Sequence, residues 1–388
     1  MIRPVLVFAV STLCLCWAGL ANAFDTTAKS AIVLDVNTDQ TLMEKNADMA
    51  LPPASMSKLM TLFMVFEALE DGRLSLDTVV PVSRKAAAYG GSSMFLTELD
   101  RVSVEDLIRG VIVLSGNDAS AVLAEAVSPD GTEAGFSAMM TQRAQQLGMT
   151  NSTFTNSNGW PAPNHRMSMR DLAILAKLLI TQFPQYYGYF AETEFAFDGR
   201  VPDNRFNRNP LLTLGIGADG LKTGHTQEAG YGLVGSATSG TRRVIFVLSG
   251  MDSERDRAEE SERIVNWAFR QFAEKKLAEE GVVLTEAEVW MGSAARVGLA
   301  ARSDVSALVP ILGNEDVSAK IRYNGPLDAP IAVGDKLAEL VISVPGLSDA
   351  VHDLVATETV TRGGFMVRLR TAAVVLFREL TGQAAAYF

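Results

Sequence analysis

The chain has 388 residues, a formal net charge of −11 and a pI near 4.9, and 48% of its residues are hydrophobic. That length and that hydrophobic content allow two domains and a large core. The excess of negative charge disfavours general nucleic-acid binding, because phosphate groups would be repelled. A specific anionic substrate remains possible where positive side chains cluster.

The first 23 residues have the features of a secretory signal peptide. A short basic start precedes an apolar stretch at residues 5–20, and the small residues at 21–23 fit a cleavage site. Both cysteines of the chain, Cys14 and Cys16, lie in this segment. An exported mature chain would therefore have no thiol for catalysis, disulfide formation or metal binding.

The histidines also argue against a metal centre. His165, His225 and His352 are widely separated, and neither an H-E-x-x-H motif nor another paired-histidine spacing occurs. A zinc hydrolase is therefore disfavoured, and we expect neither a metal nor a cofactor.

Two short strands and a buried helix are predicted at the start of the mature chain. Residues 31–35 and 40–44 would form a hairpin around a polar turn. Residues 59–69 are apolar on nearly every face, which predicts a helix buried on all sides. Two prolines at 52–53 mark its start, and the Asp-Gly pair at 71–72 marks its end.

Ser55 and Lys58 are the candidate nucleophile and general base. Ser55 would lie in the first turn of this helix, where free backbone N–H groups and the helix dipole stabilise an alkoxide. Lys58 would lie one turn later on the same face, and burial would lower its pKa so that the neutral amine could accept the serine proton. By itself, this spacing also fits an N-cap serine and a lysine that extends to water.

A second motif falls between two predicted helices. The pattern predicts helices at residues 104–114 and 119–126, with Ser115 and Asn117 on the short loop between them. Polar side chains on such a loop can face a cleft. A polar, proline-punctuated loop follows at residues 151–169, and its length is typical of a functional loop.

A third motif lies beside a predicted hairpin. After a helix at residues 170–180, strands at 231–237 and 243–249 form an antiparallel pair, and Lys222-Thr223-Gly224 lies next to it at a sheet edge. A charged amphipathic helix is predicted from Arg255 to about Leu277.

Beyond Leu277, short alternating runs separated by glycine and proline predict a small all-β domain. We therefore divide the chain into a signal peptide (1–23), a catalytic domain (24–277), an all-β C-terminal domain (278–357) and an amphipathic tail (358–388).

The tail is predicted to lie on a membrane surface without crossing it. Phe365, Leu369, Leu376 and Leu380 share one face of a helix, and arginines interrupt the apolar stretch before it reaches the ~20 residues that a span needs. From Glu358 onward, four arginines and two glutamates give a net charge of +2, which favours anionic lipid. A helix packed on the β-domain is the alternative.

Together, the three motifs resemble one known family. Ser55-x-x-Lys58, Ser115-Gly116-Asn117 and Lys222-Thr223-Gly224 occur in the order found in penicillin-binding proteins and serine β-lactamases. The segments at 90–96, 115–119, 207–209 and 222–226 are similar to the low-molecular-weight penicillin-binding proteins that are D-alanyl-D-alanine carboxypeptidases. The resemblance extends over nearly the whole chain.

The resemblance implies an α/β (α+β) catalytic domain of the serine β-lactamase and penicillin-binding-protein type, followed by the β-domain and the terminal helix. Ser55 would attack the carbonyl between the two terminal D-alanines of a peptidoglycan stem peptide, and Lys58 would be the base. Ser115 and Asn117 would line one wall of the cleft and Lys222 the opposite wall.

The resemblance also implies how substrate would bind. The backbone N–H groups of Ser55 and His225 would form the oxyanion hole, and Gly224 would leave the strand edge open to an extended peptide. Only the backbone of His225 is expected to matter.

The substrate carboxylate needs partners at the far end of the cleft. Thr223 and Thr226 could hydrogen-bond it, and Arg255 matches an arginine that the family uses there. An exposed Arg255 paired with Glu254 or Glu259 is the alternative.

The implied partners are the stem peptide, β-lactam antibiotics and the membrane surface. The implied location is the periplasmic face of the bacterial inner membrane. The loop lacks the Glu-x-x-Leu-Asn pattern of class A β-lactamases, and Trp160-Pro161-Ala162 replaces an acidic residue that some members carry. A β-lactamase, a D,D-endopeptidase and a non-catalytic wall-binding protein remain as alternatives.

Overall fold

The structure, a computed structural model, describes residues 24–311 and 317–365. The predicted signal peptide and nearly all of the predicted tail helix lie outside these residues. Among the residues described, none of the helices combines the length and the hydropathy that crossing a membrane requires.

The first unit combines one large sheet with a cluster of helices. In chain order its elements are β1 (Ser30–Asp35), β2 (Thr41–Lys45), α1 (Lys58–Glu70), β3 (Val79–Pro81), α2 (Arg84–Ala87), β4 (Arg101–Ser103), α3 (Val104–Ile112), α4 (Asn117–Val127), α5 (Glu133–Gln146), α6 (Met169–Gln182), α7 (Pro184–Tyr187), β5 (Ala218–Thr226), β6 (Gly230–Ser239), β7 (Arg242–Met251) and α8 (Glu254–Gln271).

The large sheet has the strand order β2-β1-β7-β6-β5, and every neighbouring pair is antiparallel. Strand β5 carries the Lys-Thr-Gly motif and lies at one edge, as predicted. An edge strand leaves backbone groups free on one side, so an extended peptide could pair with it.

Helices cover both faces of the sheet. Alternate residues of each strand point to opposite sides, so each strand contributes side chains to both faces. On β7, Ile245 and Val247 belong to the core shared with the helical cluster, whereas Val244, Phe246 and Leu248 belong to a second core under α8. Both faces are therefore apolar, which explains the nearly continuous hydrophobic run of β7.

Helix α1 lies within the helical cluster and is buried on nearly all sides, as its sequence predicts. Every residue from Lys58 to Phe66 is buried. The helix ends at Glu70 with Asp71 as its C-cap, and Gly72 follows with φ +70°, a conformation that glycine adopts without steric cost. Burial of the whole helix fixes the position of the turn before it, which carries Ser55.

Two predicted element boundaries are wrong. Asn117 is not in a loop but is the first residue of α4, because the chain reverses at Ser115, whose φ is +59°. Helix α8 ends at Gln271 rather than near Leu277. The residues after it form a strand because they pair with a segment farther along the chain.

The second unit contains only strands in the part described, as predicted. These are β8 (Phe272–Ala278), β9 (Val283–Trp290), β10 (Arg296–Ala301), β11 (Val305–Pro310), β12 (Ser318–Arg322), β13 (Leu327–Asp328), β14 (Lys336–Ser343) and β15 (Ala350–Ala356). Six of them form a sheet in the order β12-β14-β15-β10-β9-β13, and β8 pairs with β11. Their inward side chains form a separate core.

Candidate active site

Ser55 lies in a 3-10 turn, Ala54–Ser57, that leads directly into α1. Ala54 has φ +49°, a conformation that is costly for a residue with a side chain and is frequent at functional sites. Two glycines permit close packing around this turn. A Cβ at Gly159 would lie 1.9 Å from the Ala54 carbonyl oxygen, and one at Gly224 would lie 3.0 Å from that of Pro53.

The Lys58 amine lies directly beside the Ser55 hydroxyl. Lys58 is fully buried, and its Nζ donates to Ser55 Oγ at 2.8 Å, to Asn117 Oδ1 at 2.7 Å and to the Asn158 carbonyl oxygen at 2.5 Å. Its pKa is lowered to about 7, chiefly by burial and also by the positive charge of Arg208, while the Asp118 carboxylate acts in the opposite direction. A substantial neutral fraction is therefore present near neutral pH.

Lys222 faces the same cleft from strand β5. It is buried, and its Nζ donates to Ser115 Oγ at 2.9 Å and to the Thr223 carbonyl oxygen at 3.3 Å. Burial holds the pKa of Lys222 well below its usual range, and the charges of Lys58, Arg208 and Arg257 add to that effect. The three sequence motifs are thus brought together from a turn, a helix junction and a strand.

Asn117 links this centre to the glycine-rich loop at residues 89–93. Its Oδ1 accepts from Lys58, and its Nδ2 donates to the Gly90 carbonyl oxygen at 2.8 Å. Both ends of its amide are therefore engaged within the protein.

A cavity of about 320 Å³ opens above Ser55. Its lining is mostly polar and consists of Ser55, Gly91, Ser92, Asn117, Asn158, Gly159, Trp160, Pro161, His225 and Thr226. The Trp160 ring forms one side and packs edge-on against Tyr89, with the ring centroids 6.2 Å apart. The cavity has room for a short peptide segment beside the serine.

Strand β5 brings the other predicted binding residues to this cavity or its floor. Thr223 and Gly224 are buried, and Thr226 is partly exposed. The His225 ring is exposed and stacks on Tyr231 with a centroid distance of 3.8 Å, and the basic group that contacts Ser55 Oγ is the Lys58 amine.

Arg255 is the one predicted residue that the structure does not bring to the site. Its side chain is 84% exposed, and its Nε lies 2.6 Å from Glu259 Oε1, which is the alternative that the sequence left open. Arg257 is instead 5% exposed, and its Nη2 donates to the Arg208 carbonyl oxygen at 3.4 Å. The charges of Arg208 and Arg257 both lower the pKa of Lys222, and Arg208 Nη1 donates to Ser92 Oγ, which lines the cavity.

The helical period of α8 could have identified Arg257. The buried residues of this helix are Arg257, Glu260, Ser261, Ile264, Val265 and Ala268, which are spaced by three and four positions. Arg255 falls outside that face, so it points to solvent.

Within residues 24–311 and 317–365, no group of three or more histidine, cysteine or acidic side chains could hold a metal ion.

The chain matches two family models, and known proteins resemble it over most of its length. The model of D-alanyl-D-alanine carboxypeptidase matches residues 18–253, and that of the C-terminal domain of penicillin-binding protein 5 matches residues 272–362. The D-alanyl-D-alanine carboxypeptidase DacC of Escherichia coli (strain K12) is 36% identical over 364 residues, which cover 92% of this chain and 90% of that protein.

Solved structures agree with these matches. Penicillin-binding protein 5 from Haemophilus influenzae has a TM-score of 0.78 at 35% identity and covers 87% of this chain and 98% of its own. Penicillin-binding protein D2 from Listeria monocytogenes, in an ampicillin-bound form, has a TM-score of 0.57 at 32% identity. That match covers 63% of this chain and 98% of the other chain. The catalytic domain and the C-terminal all-β domain that the resemblance implied are therefore confirmed, and the chain belongs to the D-alanyl-D-alanine carboxypeptidase family as a serine-type carboxypeptidase of the penicillin-binding protein 5 type.

Proposed function

We propose that Ser55 is the nucleophile of this carboxypeptidase and Lys58 its general base, acting on stem peptides that end in D-Ala-D-Ala. The observation that carries this proposal is the 2.8 Å contact between the buried Lys58 amine and Ser55 Oγ. The neutral amine takes the hydroxyl proton while Oγ attacks the carbonyl carbon of the penultimate D-alanine. The amide C–N bond then breaks, D-alanine leaves with a proton, and water hydrolyses the ester on Ser55.

The groups around this pair supply the other steps. Ser115 Oγ bridges Lys222 to the cleft and is proposed to relay the proton to the departing amine. The backbone N–H groups of Ser55 and His225 would bind the developing oxyanion, each worth roughly 2.7–4 kcal/mol in known hydrolases. Asn117 holds Lys58 through Oδ1 and the Gly90 carbonyl through one N–H of Nδ2, and the second N–H of that group could hydrogen-bond the substrate amide.

The substrate carboxylate would bind where positive charge collects at the end of β5. Thr223 and Thr226 offer hydroxyl groups on that strand, and Arg208 and Arg257 offer cations nearby. The charges of both arginines lower the pKa of Lys222, which supports their proximity to the cleft. Binding of an anion there would relieve the mutual repulsion of these cations.

β-Lactam antibiotics are proposed to acylate the same serine, because their strained ring carbonyl imitates the scissile amide. The ampicillin found in a relative of this fold supports that expectation.

Ser55→Ala should abolish both the penicillin adduct, measured by intact mass, and D-alanine release from a D-Ala-D-Ala peptide. Ser57→Ala is the matched control, since the Ser57 hydroxyl bonds to the Ala54 carbonyl oxygen. An adduct that persists on Ser55→Ala would show that another residue is the nucleophile.

The pH dependence of acylation tests the role of Lys58. Since burial lowers its pKa to about 7, the neutral amine becomes more abundant as pH rises through that value. The kcat/KM for acylation should therefore rise about tenfold per pH unit below pH 7 and level off above it. Lys58→Arg should have almost no activity, because guanidinium does not deprotonate. A flat profile, or an active Lys58→Arg enzyme, would exclude Lys58 as the base.

Arg257 and Arg255 form a matched pair for testing carboxylate recognition. Arg257→Ala should lower kcat/KM for a D-Ala-D-Ala peptide roughly 10- to 100-fold, as expected for loss of a charge-assisted hydrogen bond worth about 1.5–3 kcal/mol. Arg255→Ala should leave it unchanged. The wild type should have a lower kcat/KM for the same peptide with a C-terminal amide, because the amide carries no negative charge. Equal sensitivity of both peptides to Arg257→Ala would contradict carboxylate binding by Arg257.

The export, the domain division and the membrane contact are also proposals. We infer a signal peptide at 1–23, a catalytic unit from residue 24 to the end of α8, a β-domain from Phe272 to residue 357 and a peripheral tail at 358–388 on the periplasmic face of the inner membrane. The strand that begins at Phe272 supports moving the domain boundary to the end of α8. The net charge of +2 from Glu358 onward, from four arginines and two glutamates, supports contact with anionic lipid.

Removal of the tail should separate membrane contact from catalysis. Deletion of residues 366–388 leaves in place the hydrogen bond from the Gly363 N–H to the Met291 carbonyl oxygen. The truncated protein should release D-alanine at the full-length rate but move from the membrane pellet to the supernatant. A truncated protein that still pellets with membranes, or that unfolds, would contradict the proposal that the tail is the membrane anchor.

A further inference from the structure

Glu133 is a buried carboxylate behind the wall of the cleft, at the first turn of α5. It is 2% exposed. Its Oε1 accepts from Ser157 N at 3.1 Å and from Ser157 Oγ at 2.7 Å. Its Oε2 accepts from the Tyr89 hydroxyl at 2.8 Å and lies 2.9 Å from Lys85 Nζ. All of these partners are donors, so the site is built for an ionised carboxylate.

One side of this carboxylate fixes the loop that holds the Lys58 amine. The Ser157 carbonyl oxygen accepts from Thr61 Oγ1 at 2.6 Å and from Ser120 Oγ at 2.9 Å, which ties the loop to α1 and α4. The next carbonyl, that of Asn158, accepts from Lys58 Nζ at 2.5 Å. The position of that acceptor therefore depends on how Ser157 is held.

The other side fixes the glycine-rich loop. Tyr89 donates to Glu133, and the adjacent Gly90 carbonyl accepts from Asn117 Nδ2 at 2.8 Å. Asn117 Oδ1 in turn accepts from Lys58 Nζ at 2.7 Å. Two of the three oxygen acceptors around the amine are thus held, through different loops, by one carboxylate.

We propose that Glu133 is a positioning residue of this reaction: its carboxylate locks the two loops that orient Lys58 and Asn117 beside Ser55. The inference rests on the proposed role of Lys58 as the base. Burial raises the pKa of Glu133, but hydrogen bonds from Ser157, Lys85 and Tyr89 outweigh it and hold the pKa below its usual value. The carboxylate is therefore ionised at neutral pH and accepts at both oxygens.

Other charged groups also act on the Lys58 amine, and a test of Glu133 must leave those groups unaltered. Arg208 lowers its pKa and Asp118 on α4 raises it. Lys222 on β5 and the buried His165 both respond to the charge of Lys58, and His165 also responds to Glu133. A change confined to Glu133 leaves all four of these groups in place.

Glu133→Gln is the central variant, because it keeps the volume but turns one acceptor into a donor. In the mature full-length protein, the plateau rate of acylation by benzylpenicillin should fall about 10²-fold, the loss expected for a misplaced reacting group. Glu125→Gln is the matched control. Glu125 is a half-buried carboxylate nearby on α4 that accepts from Ser83 Oγ at 3.0 Å, and its replacement should leave acylation unchanged.

The direction in which the midpoint of the pH profile of acylation moves distinguishes a positioning role of Glu133 from a general loosening of the active site. Loss of the Glu133 charge and a weaker contact from the Asn158 carbonyl both disfavour the ammonium form of Lys58, so the midpoint of the acylation profile should move to lower pH. A loosened site that admits water would move it upward, toward the ~10.4 of free lysine. An upward shift, or a wild-type rate in Glu133→Gln, would overturn the proposal.

Tyr89→Phe keeps the proposal testable if Glu133→Gln does not fold. This change removes one hydrogen bond, worth about 0.5–1.5 kcal/mol, and should slow acylation roughly two- to tenfold with the same downward midpoint. A wild-type rate and midpoint in Tyr89→Phe would then contradict the inference. If the wild type itself neither forms the adduct nor releases D-alanine, the proposed catalytic roles fail instead.

Discussion

Burial of the Lys58 amine against the Ser55 hydroxyl is the constraint on which the rest of the site depends. An ammonium removed from water is unfavourable unless acceptors replace the lost hydration. Here the acceptors are uncharged oxygens of Ser55, Asn117 and Asn158, so hydrogen bonding is satisfied without an ion pair. The pKa accordingly falls to about 7, where a lysine can exchange protons with a serine. Each surrounding loop must therefore be placed accurately.

The same cleft concentrates positive charge in a chain whose formal net charge is −11. The charge of Arg208 lowers the pKa of Lys58, and the charges of Lys58, Arg208 and Arg257 lower the pKa of Lys222, because like charges disfavour one another. A substrate that ends in a carboxylate experiences attraction from this cluster. If Lys58 is the base, as proposed, the repulsion that lowers its pKa would also favour a substrate that carries a carboxylate, and binding of that carboxylate would relieve part of the repulsion.

The site forms where the five-stranded sheet meets the helical cluster. Helix α1 is buried on nearly all sides, so the turn that carries Ser55 cannot shift without disturbing the core. Strand β5 approaches this turn closely because Gly224 has no side chain. The cleft is therefore bounded by a fixed turn on one side and a free strand edge on the other, a geometry suited to an extended peptide.

The sequence by itself determined the three motifs, the buried helix after Ser55, the edge position of Lys222 and the all-β nature of the second unit. Local spacing and hydrophobic period are sufficient for these features. Only the tertiary structure decided that Arg257 is buried and Arg255 exposed, because core packing sets the rotation of α8. Strand β8 likewise depends on β11, a distant partner. The role inferred for Glu133 depends on Tyr89 and Ser157, which lie 44 and 24 residues away in the chain, and no local pattern connects residues so far apart.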